Sequence, residues 1–336
     1  MSIAQLMRTA AAGVGGGSFV SEVFSSDSLT GNDATQSVTN DIDLSGFGGM
    51  VWTKKSSAAY SHGLFDSLRG RSKSLRTDSS GVEQTAPDDY DLVSFNSDGF
   101  TVGPYWVHEV NKGGDEFSTQ TFRRSERFFD ALSWTGNEVS GRSIPHILGV
   151  KPGLIIIKKT AGTGNWSLWH RSYPDGIAYL NLTTAVSTPS SAGTKWGSST
   201  NAALNLTDNS SVDNQNGQKY VAYLFAHDEA EDGIIQCGSY TGNSSTTGPI
   251  VDLGWEPQYV IIKRMDSTGD WWIYDAERDA TNPRTNKLIA NSSAAEDTSG
   301  EDIDFTSTGF QPKTTATGIN ASGGNYVYVA IRAEGV

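Results

Sequence analysis

Hydrophobic and polar positions alternate in short runs along much of the chain. Residues 220–226 (YVAYLFA) and 326–331 (YVYVAI) alternate with a period of two or nearly so, as half-buried antiparallel strands do. Residues 154–158 (LIIIK) form a short β-branched run with polar flanks, which is also typical of a strand. Turn signals such as TGN, DGF and STGD separate these runs. The pattern predicts an all-β protein of many short strands.

The same landmarks recur three times in the same order. The tripeptide Thr-Gly-Asn is spaced by 105 and 106 residues, at 30–32, 135–137 and 241–243. A strand that ends in two basic residues is spaced by 104 and 105 residues, ending at Lys55, Lys159 and Arg264. An aromatic residue follows with the same spacing, at Phe65, Trp169 and Tyr274. The chain therefore contains three divergent copies of one module of about 105 residues.

A module of this size is large enough to own a hydrophobic core, whereas a solenoid repeat of about 20–50 residues is not. We therefore expect three tandem β-sandwich domains, each of jelly-roll or Greek-key type. The predicted division is an N-terminal segment, repeat 1, repeat 2 and repeat 3 at 1–17, 18–128, 129–233 and 234–336. The links SERFFD and HDEAEDG are short, so the domains should pack side by side.

The N-terminal segment predicts a short amphipathic helix followed by a flexible glycine hinge at 13–17. Its apolar residues fall on one helix face at spacings of three and four, at Ile3, Leu6, Met7 and Ala10. Because so short a helix is marginal alone, its apolar stripe indicates that it packs on symmetry mates or on a neighbouring protein. A frayed tail is the alternative.

Composition and charge narrow the function classes. Hydrophobic residues make up 36% and charged residues 19% of the chain, which carries a net charge of −13. This acidity argues against duplex nucleic acid or an anionic membrane as a partner. No stretch approaches the roughly 18 apolar residues of a membrane span. The single cysteine, Cys237, excludes an intrachain disulfide and lies in an alternating stretch that predicts a buried strand residue.

The motifs of catalysis and metal binding are absent from the sequence. The five histidines are scattered, and no nucleophile elbow, phosphate loop or zinc spacing occurs. Glycoside hydrolysis needs a pair of carboxylates, and the candidates are Asp302 with Asp304, or Asp275 with Glu277. The alternative, which is the commoner case for such residues, is that they are solvated side chains on a strand. Acidic clusters at 228–232 and 301–304 lack the spacing of a calcium loop. We therefore predict no enzyme, no metal and no cofactor.

Aromatic residues of repeats 2 and 3 are candidates for sugar contact. An aromatic ring can stack on the apolar face of a sugar while neighbouring polar groups bind its hydroxyls. The candidate glycan contacts are Trp169, Trp196, Trp271 and Tyr274. Core packing is the alternative, because each sandwich needs large buried anchors.

The motifs of the three repeats together resemble a family of phage proteins. In repeat 3 they run as YTGN, LGWEPQYVIIKRMD, WWIYDAER, KLIANSSAAE, IDFTSTGF and NYVYVAIR. Repeat 2 matches through LGVKPGLIIIKK, NWSLWHRS and YVAYLFAHD, and repeat 1 through IDLSGFGGMVWTKK, LFDSLRG and SFNSDGF. This series is similar to tandem-repeat virion proteins of tailed, often marine, bacteriophages, which are usually labelled tail fibre or tail-associated proteins.

The resemblance implies a structural virion protein, with no catalytic residues to carry over. We expect a tail fibre or tail-tip subunit that is made in the host cytoplasm and located in the virion. Its N-terminal segment would bind other virion proteins, a homo-oligomer (a trimer in the first place) would form, and host surface glycans would be contacted. A capsid decoration or head–tail connector protein is the alternative, and a polysaccharide depolymerase a further one.

Overall fold

The structure is a computed structural model that describes residues 19–106, 110–207 and 211–335. The predicted N-terminal helix, with Ile3, Leu6, Met7 and Ala10, lies outside the described residues, as does the glycine hinge. The prediction of an all-β sandwich protein is confirmed, since the elements of the described residues are strands joined by turns and a few helices of four to seven residues.

The elements of repeat 1 are α1 (Val20–Val23), β1 (Phe24–Thr30), β2 (Gln36–Thr39), α2 (Leu44–Phe47), β3 (Gly49–Lys55), β4 (Gly63–Asp66), β5 (Lys73–Leu75), β6 (Gln84–Thr85), β7 (Leu92–Asn96), β8 (Gly99–Val102) and β9 (Glu116–Arg123). Those of repeat 2 are β10 (Phe129–Thr135), β11 (Ser143–Pro145), β12 (Pro152–Lys159), β13 (Ser167–His170), β14 (Ala178–Tyr179), α3 (Ser191–Gly197), β15 (Ala203–Asn205) and β16 (Lys219–Ala226). Those of repeat 3 are β17 (Ile235–Thr241), β18 (Val251–Asp252), β19 (Pro257–Arg264), β20 (Trp271–Asp275), β21 (Leu288–Ile289), β22 (Ile303–Thr306), β23 (Gly309–Pro312), α4 (Thr317–Asn320) and β24 (Asn325–Arg332).

Each repeat forms one larger and one smaller antiparallel sheet. The larger sheets have the strand orders β1-β9-β3-β4-β5-β6, β10-β16-β12-β13-β14 and β17-β24-β19-β20-β21. In all three, the last strand of the repeat lies between the first and the third. The smaller sheets are β2-β8-β7, β11-β15 and β18-β23-β22. The recurrence of one strand order gives the three repeats a common architecture.

The larger sheets are buried on both faces. In β3 and β19, neighbouring residues point to opposite sides, as the pleat requires. Val51 and Val260 pack against the smaller sheet of their own repeat. Trp52 and Ile261 enter a second hydrophobic cluster, to which all three repeats contribute. The central strands therefore need continuous apolar runs. All three repeats share one hydrophobic core, and repeats 1 and 3 each have a further core of their own.

A recurring lysine contact joins each repeat to the next and closes a ring. The lysine belongs to β3, β12 or β19, and its ammonium donates to a backbone carbonyl in another repeat. The Nζ–O distances are 3.5 Å for Lys54–Ser293, 3.2 Å for Lys158–Ser80 and 3.2 Å for Lys263–Thr183. Repeat 1 thus contacts repeat 3, repeat 2 contacts repeat 1, and repeat 3 contacts repeat 2.

The two links between repeats are tied to each other. Arg127, in the link between repeats 1 and 2, pairs with Asp228 at 2.7 Å and with Asp232 at 2.5 Å. Both carboxylates belong to the link between repeats 2 and 3, in the acidic cluster 228–232. These ion pairs give that cluster a packing role where the two links meet.

Candidate functional site

The four aromatic residues predicted to contact glycans all lie in the interior. Each is no more than 2% exposed, and each polar tip donates to a neighbouring group inside the protein. The acceptors are Pro174 O for Trp169, Asp213 Oδ2 for Trp196, Tyr179 O for Trp271 and Glu301 O for Tyr274, at 2.9, 2.7, 2.9 and 2.8 Å. A buried ring offers no face to a sugar. This corrects the prediction of glycan contact and agrees with its alternative: these residues are anchors of the core.

Three exposed aromatic residues lie together on repeat 1 instead. Tyr90, Tyr105 and Trp106 are 37%, 41% and 48% exposed, and we call them the aromatic patch. The rings of Tyr90 and Trp106 meet edge to face, with centroids 5.9 Å apart and planes at 65°. The Lys112 ammonium lies 5.7 Å from the centre of the Tyr105 ring. The patch thus combines exposed ring surface with a cation.

Backbone contacts between two loops hold the aromatic patch in place. The Trp106 amide donates to Asp91 Oδ1 at 2.8 Å. The Asp91 amide donates to Pro104 O at 3.0 Å, and the Gly103 amide donates to Asp91 O at 2.9 Å. A Cβ atom at position 103 would collide with the carbonyl oxygen of Asp89, so glycine permits this close approach. The rings therefore project from a well-defined backbone, which lowers the entropy cost of binding.

The sequence did contain a signal for this patch. Tyr105 and Trp106 follow Pro104 in a turn-rich stretch without strand alternation, and aromatic residues outside strand patterns have no sheet face to bury them. The aromatic residues predicted to contact glycans lie in repeats 2 and 3, where aromatic residues are denser. In those repeats the high density of aromatic residues reflects core packing. In repeat 1 the position of Tyr105 and Trp106 in a loop indicates that they are exposed.

Much of the buried charge belongs to networks that join repeats. In repeat 1, Arg69 pairs with Asp66 at 2.5 Å and with Glu83 at 3.3 Å. The Tyr223 hydroxyl of repeat 2 donates to Asp66 Oδ2 at 2.6 Å, and burial raises the pKa of Tyr223 well above its usual value. Each charge in this network has a partner, so its role is structural.

Repeat 3 keeps the ion pairs of this network, with Arg278 between Asp275 and Glu296, and repeat 2 replaces them. The same register positions opposite β3, β12 and β19 hold Asp66, His170 and Asp275. Asp275 pairs with Arg278 at 2.6 Å. It is therefore not a solvent-facing member of the carboxylate pair considered for glycoside hydrolysis. In repeat 2, His170 Nε2 donates to Tyr328 O at 3.1 Å. Burial lowers the pKa of His170 to about 3, and the imidazole is therefore neutral.

Packing also accounts for the single cysteine. Cys237 is a buried strand residue, as predicted, and burial raises the pKa of its thiol. In the described parts of the chain, no three His, Cys, Asp or Glu side chains are grouped so as to hold a metal ion. No helix among the described residues has the length and apolarity needed to cross a membrane.

Comparison with known families assigns the chain. A family model described as "Domain of unknown function (DUF7483)" matches residues 20–334. The chain belongs to the DUF7483 family. The match spans all three repeats. No curated protein matches the sequence.

Proposed function

We propose that this DUF7483 protein is a structural protein of the virion of a tailed bacteriophage, namely a tail fibre or tail-tip subunit. It would be attached by its N-terminal segment and would contact glycans of the host surface. The virion role rests on the resemblance of the repeated motifs to phage tail-associated proteins. The glycan contact rests on a single observation, the exposed aromatic patch of Tyr90, Tyr105 and Trp106.

The physical support for glycan contact lies in how the patch is built. The rings of Tyr90 and Trp106 meet edge to face on loops held by hydrogen bonds, so little flexibility is lost when a sugar stacks on one of them. The exposed Asp88, which pairs with Arg71 at 3.0 Å, comes two residues before Tyr90 and adds carboxylate oxygens that can accept from sugar hydroxyls. A contact of roughly millimolar strength becomes useful when several copies act together, and association into a trimer would supply that multiplicity.

Cell attachment by the purified protein tests the contact. Fluorescently labelled protein is incubated with host cells, and the bound fraction is compared among variants. We expect Trp106→Ala and Tyr90→Ala to lower attachment at least about tenfold, equivalent to roughly 1.4 kcal/mol. Phe47→Ala is the matched control, because Phe47 is an exposed aromatic residue of repeat 1 outside the patch. Attachment that is unchanged in the folded Trp106→Ala protein would exclude the patch as the contact.

Electron cryo-microscopy of the intact particle tests the location. A few copies at the tail would agree with the proposal, with the N-terminal segment in the attachment site. Many copies on the shell would instead identify a capsid decoration protein. Loss of host polysaccharide on incubation with the purified protein would identify a depolymerase, and would contradict the non-enzymatic role.

A further inference from the structure

An open polar cleft lies where repeats 1 and 2 meet. Its volume is about 540 Å³, within the range of roughly 300–1,000 Å³ that is typical of ligand sites. Lys73 and Glu83 of repeat 1 lie on one side, and Trp134, Lys219 and Tyr220 of repeat 2 lie on the other. The two walls come from different repeats, so the cleft exists only because the ring is closed at this interface.

The cleft is rich in cations, in contrast to the protein as a whole. Lys73, Lys219 and Arg69 contribute to its lining, against one lining carboxylate, Glu83. The charge of Arg69 is balanced by the buried Asp66 at 2.5 Å, so Lys73 and Lys219 are the cations that a ligand would meet. Glu83 is already shared between Arg69 at 3.3 Å and Lys73 at 3.4 Å. Lys219 is exposed and makes no ion pair with any described residue. In a protein of net charge −13, this arrangement favours an anionic ligand.

Aromatic and hydroxyl groups complete the lining. Trp134 and Tyr220 stack with centroids 5.7 Å apart and planes at 19°. Their polar tips point away into the protein, to Asp213 O at 2.7 Å and Ser211 O at 3.2 Å. The Trp134 ring, which is 8% exposed, therefore supplies apolar surface and no hydrogen bond to the cleft, whereas Tyr220 is 1% exposed and supports that ring by stacking on it. Hydroxyl groups that can donate and accept come from Ser133 and Thr135.

The cationic wall is specific to this interface. Lys219 lies opposite Thr135 at the first pair of β10 and β16. The equivalent register positions hold Glu116 opposite Thr30 in repeat 1 and Asn325 opposite Thr241 in repeat 3. A carboxylate or an amide cannot replace the ammonium as a partner for an anion. The positive charge at this register position is therefore a feature of repeat 2 alone.

We infer that this cleft binds a carboxylated sugar of the uronic acid class. The carboxylate would lie between Lys73 and Lys219, where charge-assisted hydrogen bonds are strongest. The apolar face of the sugar ring would pack against Trp134, and the hydroxyls of Ser133 and Thr135 would bind the sugar hydroxyls. The inference does not rest on a virion location, because it concerns a site within the isolated protein.

The test is a titration of the full chain with sodium glucuronate, followed by the amide resonances of Ser133, Thr135 and Lys219. Glucose and acetate are titrated in parallel at the same ionic strength. We expect millimolar binding of glucuronate, and binding at least about tenfold weaker for glucose and for acetate. Acetate shifts as strong as those of glucuronate would overturn the inference, because they would indicate a simple anion site. An absence of shifts with glucuronate would also overturn it.

Lysine variants locate the binding within the cleft. Lys219→Asn introduces the residue that repeat 3 has at the same register position, and Lys73→Met removes the second cation. Each variant should weaken glucuronate binding at least about tenfold. The double variant Lys151→Met/Lys313→Met is the control, because both lysines lie outside the cleft. Equal binding by Lys219→Asn and the unmodified protein would contradict the proposed site.

Discussion

The Nζ atom of Lys158 lies 3.2 Å from the carbonyl oxygen of Ser80, so a cation of repeat 2 is held by the backbone of repeat 1. The same ammonium donates to the carbonyl of Lys159 at 3.0 Å. Lys54 and Lys263 make the same pair of contacts at the other two interfaces. Burial lowers the pKa of each of these three lysines to about 8.

These lysines predict a protein that becomes more stable as the pH rises above about 8. Between the folded pKa of about 8 and the unfolded value of about 10.4, the unfolded chain binds more protons, so the free energy of unfolding rises with pH. The gain should be on the order of 1 kcal/mol for each lysine by about pH 9.5, below the pH at which exposed tyrosines ionise. Urea denaturation at about pH 7.5, 8.5 and 9.5 measures it.

A lysine variant provides the control for this pH dependence. Lys158→Met removes one of the three titrating lysines, so the rise in stability with pH should be smaller in this variant. Lys151→Met removes an exposed lysine and should leave the slope unchanged. A slope that is the same in Lys158→Met and in the unmodified protein would show that other groups titrate.

Removal of the Arg69 guanidinium should be costly because it strands a buried carboxylate. Asp66 is fully buried and depends on Arg69 at 2.5 Å for its charge partner. We expect Arg69→Met to lower the free energy of unfolding by about 3–5 kcal/mol. The double variant Asp66→Asn/Arg69→Met removes both charges and should recover part of this loss. Urea denaturation of the two variants decides the matter, and a double variant less stable than the single one would contradict the explanation.

His62 and His170 should stay neutral in the folded protein at mildly acidic pH. Burial lowers the pKa of both imidazoles to about 3. His62 Nδ1 accepts from Trp52 Nε1 at 2.9 Å, and its Nε2 donates to Ile289 O at 2.9 Å. Long-range ¹H–¹⁵N spectra should show the Nε2–H tautomer for both rings at pH values down to about 5, well below the unfolded pKa of about 6.5.

The same two histidines predict a loss of stability in acid. The folded pKa lies below the unfolded one, so the unfolded chain binds more protons and the free energy of unfolding falls as the pH drops below about 6.5. His62→Gln should lessen this dependence, because glutamine does not titrate. Protonation of either ring near neutral pH in the folded protein would contradict the assignment.

Truncation of Trp271 and truncation of Trp106 should change the free energy of unfolding by very different amounts. Trp271 is a core residue whose Nε1 donates to Tyr179 O of repeat 2 at 2.9 Å. We expect Trp271→Ala to cost about 3–5 kcal/mol of stability. Trp106 is half exposed, and its replacement by alanine should change stability by no more than about 0.5 kcal/mol. Thermal or urea denaturation of the pair measures the contrast, and equal losses would contradict the burial described above.

The fold class could be predicted from the sequence because strand patterns are local. The alternation in 326–331 and the apolar run in 154–158 predicted β24 and β12 directly. The two basic residues that end β12 and β19 also follow the alternation of a β-strand. In β12 and β19, the first basic residue, Lys158 or Lys263, is buried and the second points outward.

The ring could not be predicted in the same way, and of the aromatic patch the sequence showed only that Tyr105 and Trp106 lie outside the strand patterns. Ring closure depends on the backbone carbonyls of Ser80, Thr183 and Ser293, and a carbonyl acceptor has no signature in the sequence. The exposure of Trp106 depends on the approach of two loops at Gly103. The aromatic content of a strand predicts that it contacts something, whereas the long-range arrangement of the sheets decides whether that neighbour is protein or solvent.

Because the three repeats of the ring belong to one chain, their sequences can differ and the ring need not be symmetric. In a ring of three identical subunits, every substitution appears three times, and a change that benefits one position is imposed on the other two. Here a mutation such as the one that separates Lys219 from Glu116 and Asn325 occurs once. One repeat can therefore diversify towards a new ligand while its neighbours keep the contacts that hold the ring closed. The three repeats of such a molecule present different surfaces. Its orientation on a binding surface is therefore set by the differences among the repeats.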